Sequence, residues 1–435
     1  MFRGDGCLSS VYAVTDLASA AIACASLAIA ELLNIGAGTH ALQPGLVRVS
    51  RRLASFWFGM SIRPSGWELP PPWDPIAGDY KTRDGWIRLH TNAPRHREAA
   101  ERVLGYPSSR EAVARTVARW TAYDLESSII RANGCAAQMH TVAEWAEHPQ
   151  GQAIASEPLV HQQDTDSAAP STWAVSPTRP LEGIRVLDLT RILAGPVASR
   201  FLAGYGATVL RIDPPHWEEP ALAPEVTLGK QCARLDLTKT SDRERFEQLL
   251  SETDILLHSY RPGALEHLNL GSAIRRSLAP GLVDVCLDAY GWTGPWAARR
   301  GFDSLVQMSC GIADTGMRVT SATKPTPLPV QALDHATGYL MAAAAIRAWT
   351  RRLTQDTGTE ARLSLARTAK LLLDAGEQTV AALLAPETSE DLSPIIEPTR
   401  WGPARRLQPP AHITGAPMRW DLPASKLGSS RPSWT

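Results

Sequence analysis

The feature that most limits the possible folds lies in the second half of the chain. Four short apolar runs, IRVLDL (184–189), TVLRID (208–213), DILLHS (254–259) and LVDVCLDAY (282–290), alternate with helical stretches such as DRERFEQLLSET. An unbroken apolar run of this length fits a strand covered on both faces. Strands of that kind alternating with helices give a parallel, doubly wound sheet. Ala194-Gly195-Pro196 opens the helix after the first run, with proline in its first turn. A long Ala-rich helix is expected over 335–352, followed by ARLSLA and a further helix.

The first part of the chain has a different texture. GDYKTRDGWIRLHT (78–91) reads as a hairpin turning at Asp84-Gly85, and RHREAAERVLG (95–105) as an amphipathic helix closed by Gly105. Thr141 and Glu144 have the spacing of a capping box. The Ala-rich run LASAAIACASLAIA (17–30) has 14 residues, short of the ~20 that span a bilayer. It is expected to be a buried helix. The predicted organisation is an Ala-rich helix plus a small α+β domain over 1–156, and a polar linker over 157–180. A sheet domain over 181–385 and an irregular Pro-rich tail over 386–435 complete it. A weak repeat pairs TDLASAAIACASLAIAEL (15–32) with LDHATGYLMAAAAIRAW (333–349), and VRVSRRLASF (47–56) with ARLSLARTAK (361–370).

Composition removes several functions. Lys plus Arg and Asp plus Glu each total 44 of the 435 residues, which argues against nucleic-acid or polybasic membrane partners. Six scattered cysteines without a CxxC pair point to a reduced, cytoplasmic chain without structural zinc, so no metal site is expected. The turn TRILAGP after the first strand has one glycine where a dinucleotide fingerprint needs three, which disfavours a nicotinamide or flavin enzyme. Walker A and GxSxG motifs are absent. Attention therefore falls on carboxylates at strand ends. Asp334, where VQAL meets the Ala-rich helix, fits an N-cap. It equally fits an oriented carboxylate able to act as a covalent nucleophile.

These residues also carry a family resemblance. PLEGIRVLDLTRILAGPVASRFLAGYGATVLRIDPP (180–215), LGKQCARLDL (228–237), SYRPGALEHLNLG (259–271), AYGWTGPWAARRGFDSLVQMSCG (289–311) and VQALDHATGYL (330–340) resemble the family III CoA-transferases, the formyl-CoA and carnitine CoA-transferase type. A weaker likeness covers GDYKTRDGWIRLH, EWAEHPQG and 402–430. The resemblance implies a Rossmann-like CoA-binding module with Asp334 as acyl carrier. It implies a CoA thioester and a small carboxylic acid as substrates, no permanently bound cofactor, and a homodimer. Carried over residue by residue, it places Ile192, Leu193 and Ala194 along the adenine side, and Leu235 and Thr238 along the nucleotide path. Ser259, Tyr260 and Arg261 form a phosphate loop. His267 stands where the family often has arginine, Arg300 where a basic residue meets CoA, and Asp303 beside the nucleophile.

Two features depart from the family pattern. Racemases of the same fold use the histidine of a GHD triplet, which here is Gly301-Phe302-Asp303, and phenylalanine takes no proton. The parts also stand in permuted or fused order, with small-domain-like sequence ahead of the sheet module. Asp16 would then be a relic of the nucleophile position. An acyl-CoA racemase or epimerase and a catalytically inactive CoA-binding homologue remain the alternative readings.

Overall fold

The computed structural model of the protein describes residues 1–38, 46–379 and 382–434. Its centre is a seven-stranded sheet of β1 (His161–Ser167), β2 (Arg185–Leu189), β3 (Thr208–Asp213), β4 (Lys230–Arg234), β5 (Ile255–His258), β6 (Val283–Asp288) and β7 (Thr357–Ser364). The order across the sheet is β4-β3-β2-β5-β6-β7-β1. Strands β2 to β7 are parallel, and β1 runs antiparallel on the β7 edge. All residues of β5 and β6 are buried, His258, Asp284 and Asp288 among them, as befits central strands of a parallel sheet covered on both faces. Chain direction across the sheet reverses between β2 and β5. In open α/β sheets a crevice forms beyond the strand ends at that point.

Two strands were not among the predicted ones. β4 reads KQCAR, and its buried Lys230 hides the strand signal. The Lys230 Nζ meets the buried Asp188 carboxylate at 3.1 Å and the Pro196 carbonyl at 3.0 Å, so the charge is accommodated inside. β1, HQQDTDS, falls within the stretch expected to be a linker. Almost wholly exposed at a sheet edge, it needs no apolar face. The tail also has more structure than expected. Leu392–Thr399 and Gly402–Leu407 form a hairpin that continues onto Ile62–Pro64, and Ala411–Ile413 pairs with Val47–Ser50.

Helices α1 (Val14–Gly36), α2 (Pro94–Leu104), α3 (Ala194–Gly204), α4 (Asp303–Ser309), α5 (Ala332–Gln355) and α6 (Leu365–Asp374) organise the rest around the sheet. By length and composition α1 is apolar enough to cross a membrane, yet most of its apolar window is buried inside the molecule. Its main packing partner is α5, which places α1 with the sheet layers. The sequence repeat has a structural counterpart: α1, strand 47–50 and helix 51–57 follow the same α–β–α order as α5, β7 and α6. The small α+β unit consists of the antiparallel strands Gly78–Lys81, Trp86–Leu89 and Ala136–Gln138 with α2 and helices Arg110–Val117 and Ala122–Arg131. Tyr80, Ile87, Leu89, Val113, Leu125 and Ile129 form its own core.

A buried charge cluster ties the distant segments together. Glu225 pairs with Arg200 of α3 and, at 3.1 Å, with Arg406, and accepts the Ser61 N–H at 3.0 Å. Burial opposes the Glu225 charge, but the two guanidiniums and the Ser61 hydroxyl outweigh it and hold the carboxyl down at about 2. A carboxyl lowered in the folded state contributes stability above its unfolded value of ~4.3, and that contribution is lost as pH falls from there towards 2. Glu225→Ala leaves the buried Arg200 without a carboxylate and Arg406 with Glu397 alone, and is expected to cost about 3–5 kcal/mol at neutral pH. Chemical denaturation checks this. A loss below ~1 kcal/mol, or a variant that keeps the wild-type acid sensitivity between pH 4 and 2, contradicts it.

Candidate active site

A cleft of about 320 Å³ opens at the point where the sheet reverses. One wall is the loop after β2 and the other the loop after β5, with the end of β6 and the first turn of α5 at its base. The β2 loop has a demanding backbone. Ile192 sits at φ 67°, unusual for a β-branched residue. Its N–H donates to Glu219 Oε1 at 2.7 Å, and Trp217 Nε1 donates to the same oxygen at 2.7 Å. Glu219 is itself held by the fully buried Arg211 at 2.9 Å. Two glycines set the approach of the helices. A Cβ on Gly195 would lie 2.2 Å from the Thr190 side chain, and one on Gly338 would lie 2.3 Å from the Ala194 carbonyl. Only glycine at 338 lets α5 come this close to α3 and brings Asp334 beside the Ala194-Gly195-Pro196 turn.

Asp334 does not cap α5. The N-cap position is Gln331, which makes no side-chain cap, and Asp334 lies in the first turn. The cap comes from outside the helix. Oδ2 of the fully buried Asp303 accepts the N–H of Leu333 at 2.8 Å and of Asp334 at 3.0 Å, while Gln307 donates to its Oδ1. Among the described residues no hydrogen bond engages the Asp334 carboxylate, which lines the cleft. Burial, and then the charge of Asp303, pushes the Asp334 carboxyl well above its ordinary value. Burial also raises Asp303, against backbone and amide donors that favour its ionised form. The donors around Asp303 favour its ionised form, and the Asp334 carboxyl has none of them.

Ile192, Ala194, Ser259, Tyr260, Arg261 and Arg300 line the cleft with Asp334. Leu193, Leu235, Thr238, His267 and Asp303 do not. Leu193 and Leu235 are buried in the hydrophobic core. Thr238 Oγ1 donates to Asp236 at 2.6 Å, and the exposed His267 turns back onto the Gly263 carbonyl. Asp303 sits behind the first turn of α5, whose N–H groups it accepts. Both adjacent arginines line the cleft, but Arg299 pairs with the buried Glu126 at 2.6 Å while Arg300 has no carboxylate partner among the described residues.

Sequence reasoning missed four titratable residues of the cleft. Arg95 and His96 arrive from α2 of the small unit, and no local signal places them here. Arg191 lies between the Trp217 and Tyr260 rings, with its charge 5.2 and 5.3 Å from their centroids. Asp288 closes the base of the cleft at the end of β6, where the strand-end rule alone could have found it. Its Oδ1 accepts the Gly291 N–H at 2.8 Å, and burial pushes its carboxyl well above the ordinary range. Phe302, in the triplet position discussed above, stacks on His90 with ring centroids 3.7 Å apart. His335 is buried against Phe58, and burial holds it near 3.

The chain is similar to several characterised proteins over this region. Residues 181–391 match the family model described as CoA-transferase family III. A probable fatty acyl-CoA transferase of Mycobacterium tuberculosis is 35% identical over 187 residues, covering 40% of this chain and 47% of its own. An acetyl-coenzyme A transferase of Hypoxylon pulicicidum is 29% identical over 301 residues, covering 64% of this chain and 51% of its own. A crystal structure of the Mycobacterium tuberculosis protein superposes with a TM-score of 0.42 at 31% identity, over 46% of this chain and 59% of that one. The chain spans about half the length of the curated relatives it matches. The likeness to CoA-transferase family III thus lies in residues 181–391, the sheet module and the segment that follows it.

Proposed function

We propose that this protein moves CoA from an acyl-CoA thioester to a carboxylic acid, with Asp334 as covalent carrier. The observation that carries the reading is the Asp334 carboxylate, relieved of capping by Asp303 and facing a cleft at the sheet's reversal point. The family match over 181–391 supports the same chemistry.

In this scheme an Asp334 oxygen attacks the thioester carbonyl, the carbon–sulfur bond breaks and CoA leaves as thiolate. The product is a mixed anhydride of Asp334 and the acyl group. The thiolate then attacks the aspartyl carbonyl, which releases the first acid and leaves an aspartyl-CoA thioester. The acceptor carboxylate attacks that thioester, and the released thiolate attacks the acceptor's carbonyl. New acyl-CoA leaves and the Asp334 carboxylate is restored. Bonds broken and formed are nearly equivalent, so the site chiefly has to orient the partners and keep water from the anhydride. Ala194, Leu287, Ala289 and Leu365 give the cleft an apolar lining suited to that task. An epimerase reading would need a histidine base. The cleft histidine, His96, is pushed down to about 4 by burial and by Arg95 and Arg300, which leaves it a weak base.

Incubation with labelled acyl-CoA followed by hydroxylamine is expected to yield a hydroxamate at Asp334. Asp334→Asn should lower transfer on the order of 10³-fold or more. Turnover that survives this substitution contradicts the carrier role. Exchange at the acyl α-carbon without transfer would favour an epimerase, and CoA binding with neither reaction an inactive homologue.

The neighbouring charge supplies a separate test. Asp303→Asn keeps an acceptor oxygen for the helix cap but removes the negative charge that hinders ionisation of Asp334. The Asp334 carboxyl then ionises at lower pH, and the acid limb of the pH–rate profile should move to lower pH. A limb that stays in place, or moves up, contradicts the pairing.

A further inference from the structure

The ion pairing of the arginines around the cleft is selective. On α2, Arg97 pairs with Asp74 and with Glu101, both at 2.9 Å, and Arg102 with Glu98 at 3.4 Å. Arg299 pairs with Glu126. The cleft-lining Arg95 and Arg261 have no carboxylate partner among the described residues, and Arg300 reaches only the Asn133 side-chain oxygen, at 3.3 Å. Acids and bases are equal in number in this chain, so a shortage of carboxylates does not explain the gap. The three guanidiniums also come from separate elements: Arg95 from the first turn of α2, Arg261 from the loop after β5, and Arg300 from the loop before α4. They lie close enough to disturb one another. Burial and then Arg300 lower both Arg95 and Arg261.

An anion that touches several guanidiniums at once would offset the repulsion within such a cluster. A single carboxylate brings one charge and two oxygens in a plane. A phosphate monoester brings close to two charges and three oxygens directed outward, which matches donors arriving from three elements. We propose that Arg95, supplied by the small unit, completes with Arg261 and Arg300 a clamp for a phosphate group of the CoA thioester, so that bound substrate joins the small unit to the sheet unit. The inference rests on the transferase reading for the identity of the phosphate carrier, and it assigns Arg95 a binding role that neither the sequence nor the resemblance indicated.

Calorimetric titration of the full chain with CoA, 3′-dephospho-CoA and pantetheine tests it. The wild-type protein should bind CoA more tightly than pantetheine. Arg95→Ala should weaken CoA about tenfold or more, leave pantetheine unchanged and reduce the salt dependence of CoA binding, with Arg95→Lys intermediate. Arg102→Ala, on the outer face of the same helix, should bind CoA as wild type does, and thermal melts check that each variant is folded. If Arg95→Ala binds CoA like wild type, the clamp is wrong and the transferase reading stands. If it raises only the KM of the acceptor acid, Arg95 reads a carboxylate and the phosphate assignment is overturned. If the wild-type protein binds neither CoA nor pantetheine, the transferase reading itself fails and the clamp with it.

Discussion

The site depends on one hydrogen-bonding arrangement, in which a carboxylate from outside α5 caps that helix. A helix starts with backbone N–H groups that have no partner within it. In α5 two of them, those of Leu333 and Asp334, go to Asp303. Had Asp334 turned back to cap its own helix, its carboxylate would be committed to the backbone and unavailable for chemistry. The same arrangement places a second negative charge beside Asp334 and raises the cost of ionising it. Freedom and basicity of the carboxylate therefore have a common origin. A carboxylate that resists ionisation is more nucleophilic once ionised, at the expense of the fraction ionised at a given pH.

The fold brings that carboxylate to substrate through close packing. Gly338 lets α5 lie against the start of α3, and Gly195 lets that start fold over Thr190. The strained Ile192 turn is held by Glu219, which Arg211 holds in turn. Behind the cleft the buried charges are paired, as in Lys230 with Asp188 and in the Glu225 cluster. At its mouth the arginines are left without carboxylates. Charge is thus satisfied where it supports the scaffold and unsatisfied where a ligand with negative charge would enter.

Much of this was legible in the sequence where the signal is local. The apolar runs at 208–213 and 282–290 became β3 and β6, Asp84-Gly85 turned a hairpin, and Thr141 with Glu144 formed a capping box. Strands β4 and β1 escaped because one carries a paired internal lysine and the other an exposed polar edge, so neither shows apolar periodicity. Asp334 stood out as a carboxylate at a strand–helix junction, but local rules assigned it the cap that Asp303 provides from 31 residues away. Arg95 and Arg300 meet only because the small unit folds back onto the loop before α4, a long-range contact that no short motif records.

The most direct measurement follows the oxygen atoms. If an acceptor acid labelled with oxygen-18 attacks an aspartyl-CoA thioester, the anhydride oxygen it contributes stays on Asp334 when CoA departs with the acceptor's acyl group. After turnover, mass spectrometry of the peptide containing Asp334 should show a heavy oxygen on that side chain and on no other carboxylate. Turnover with every carboxylate unlabelled would show that the acyl group never rests on Asp334.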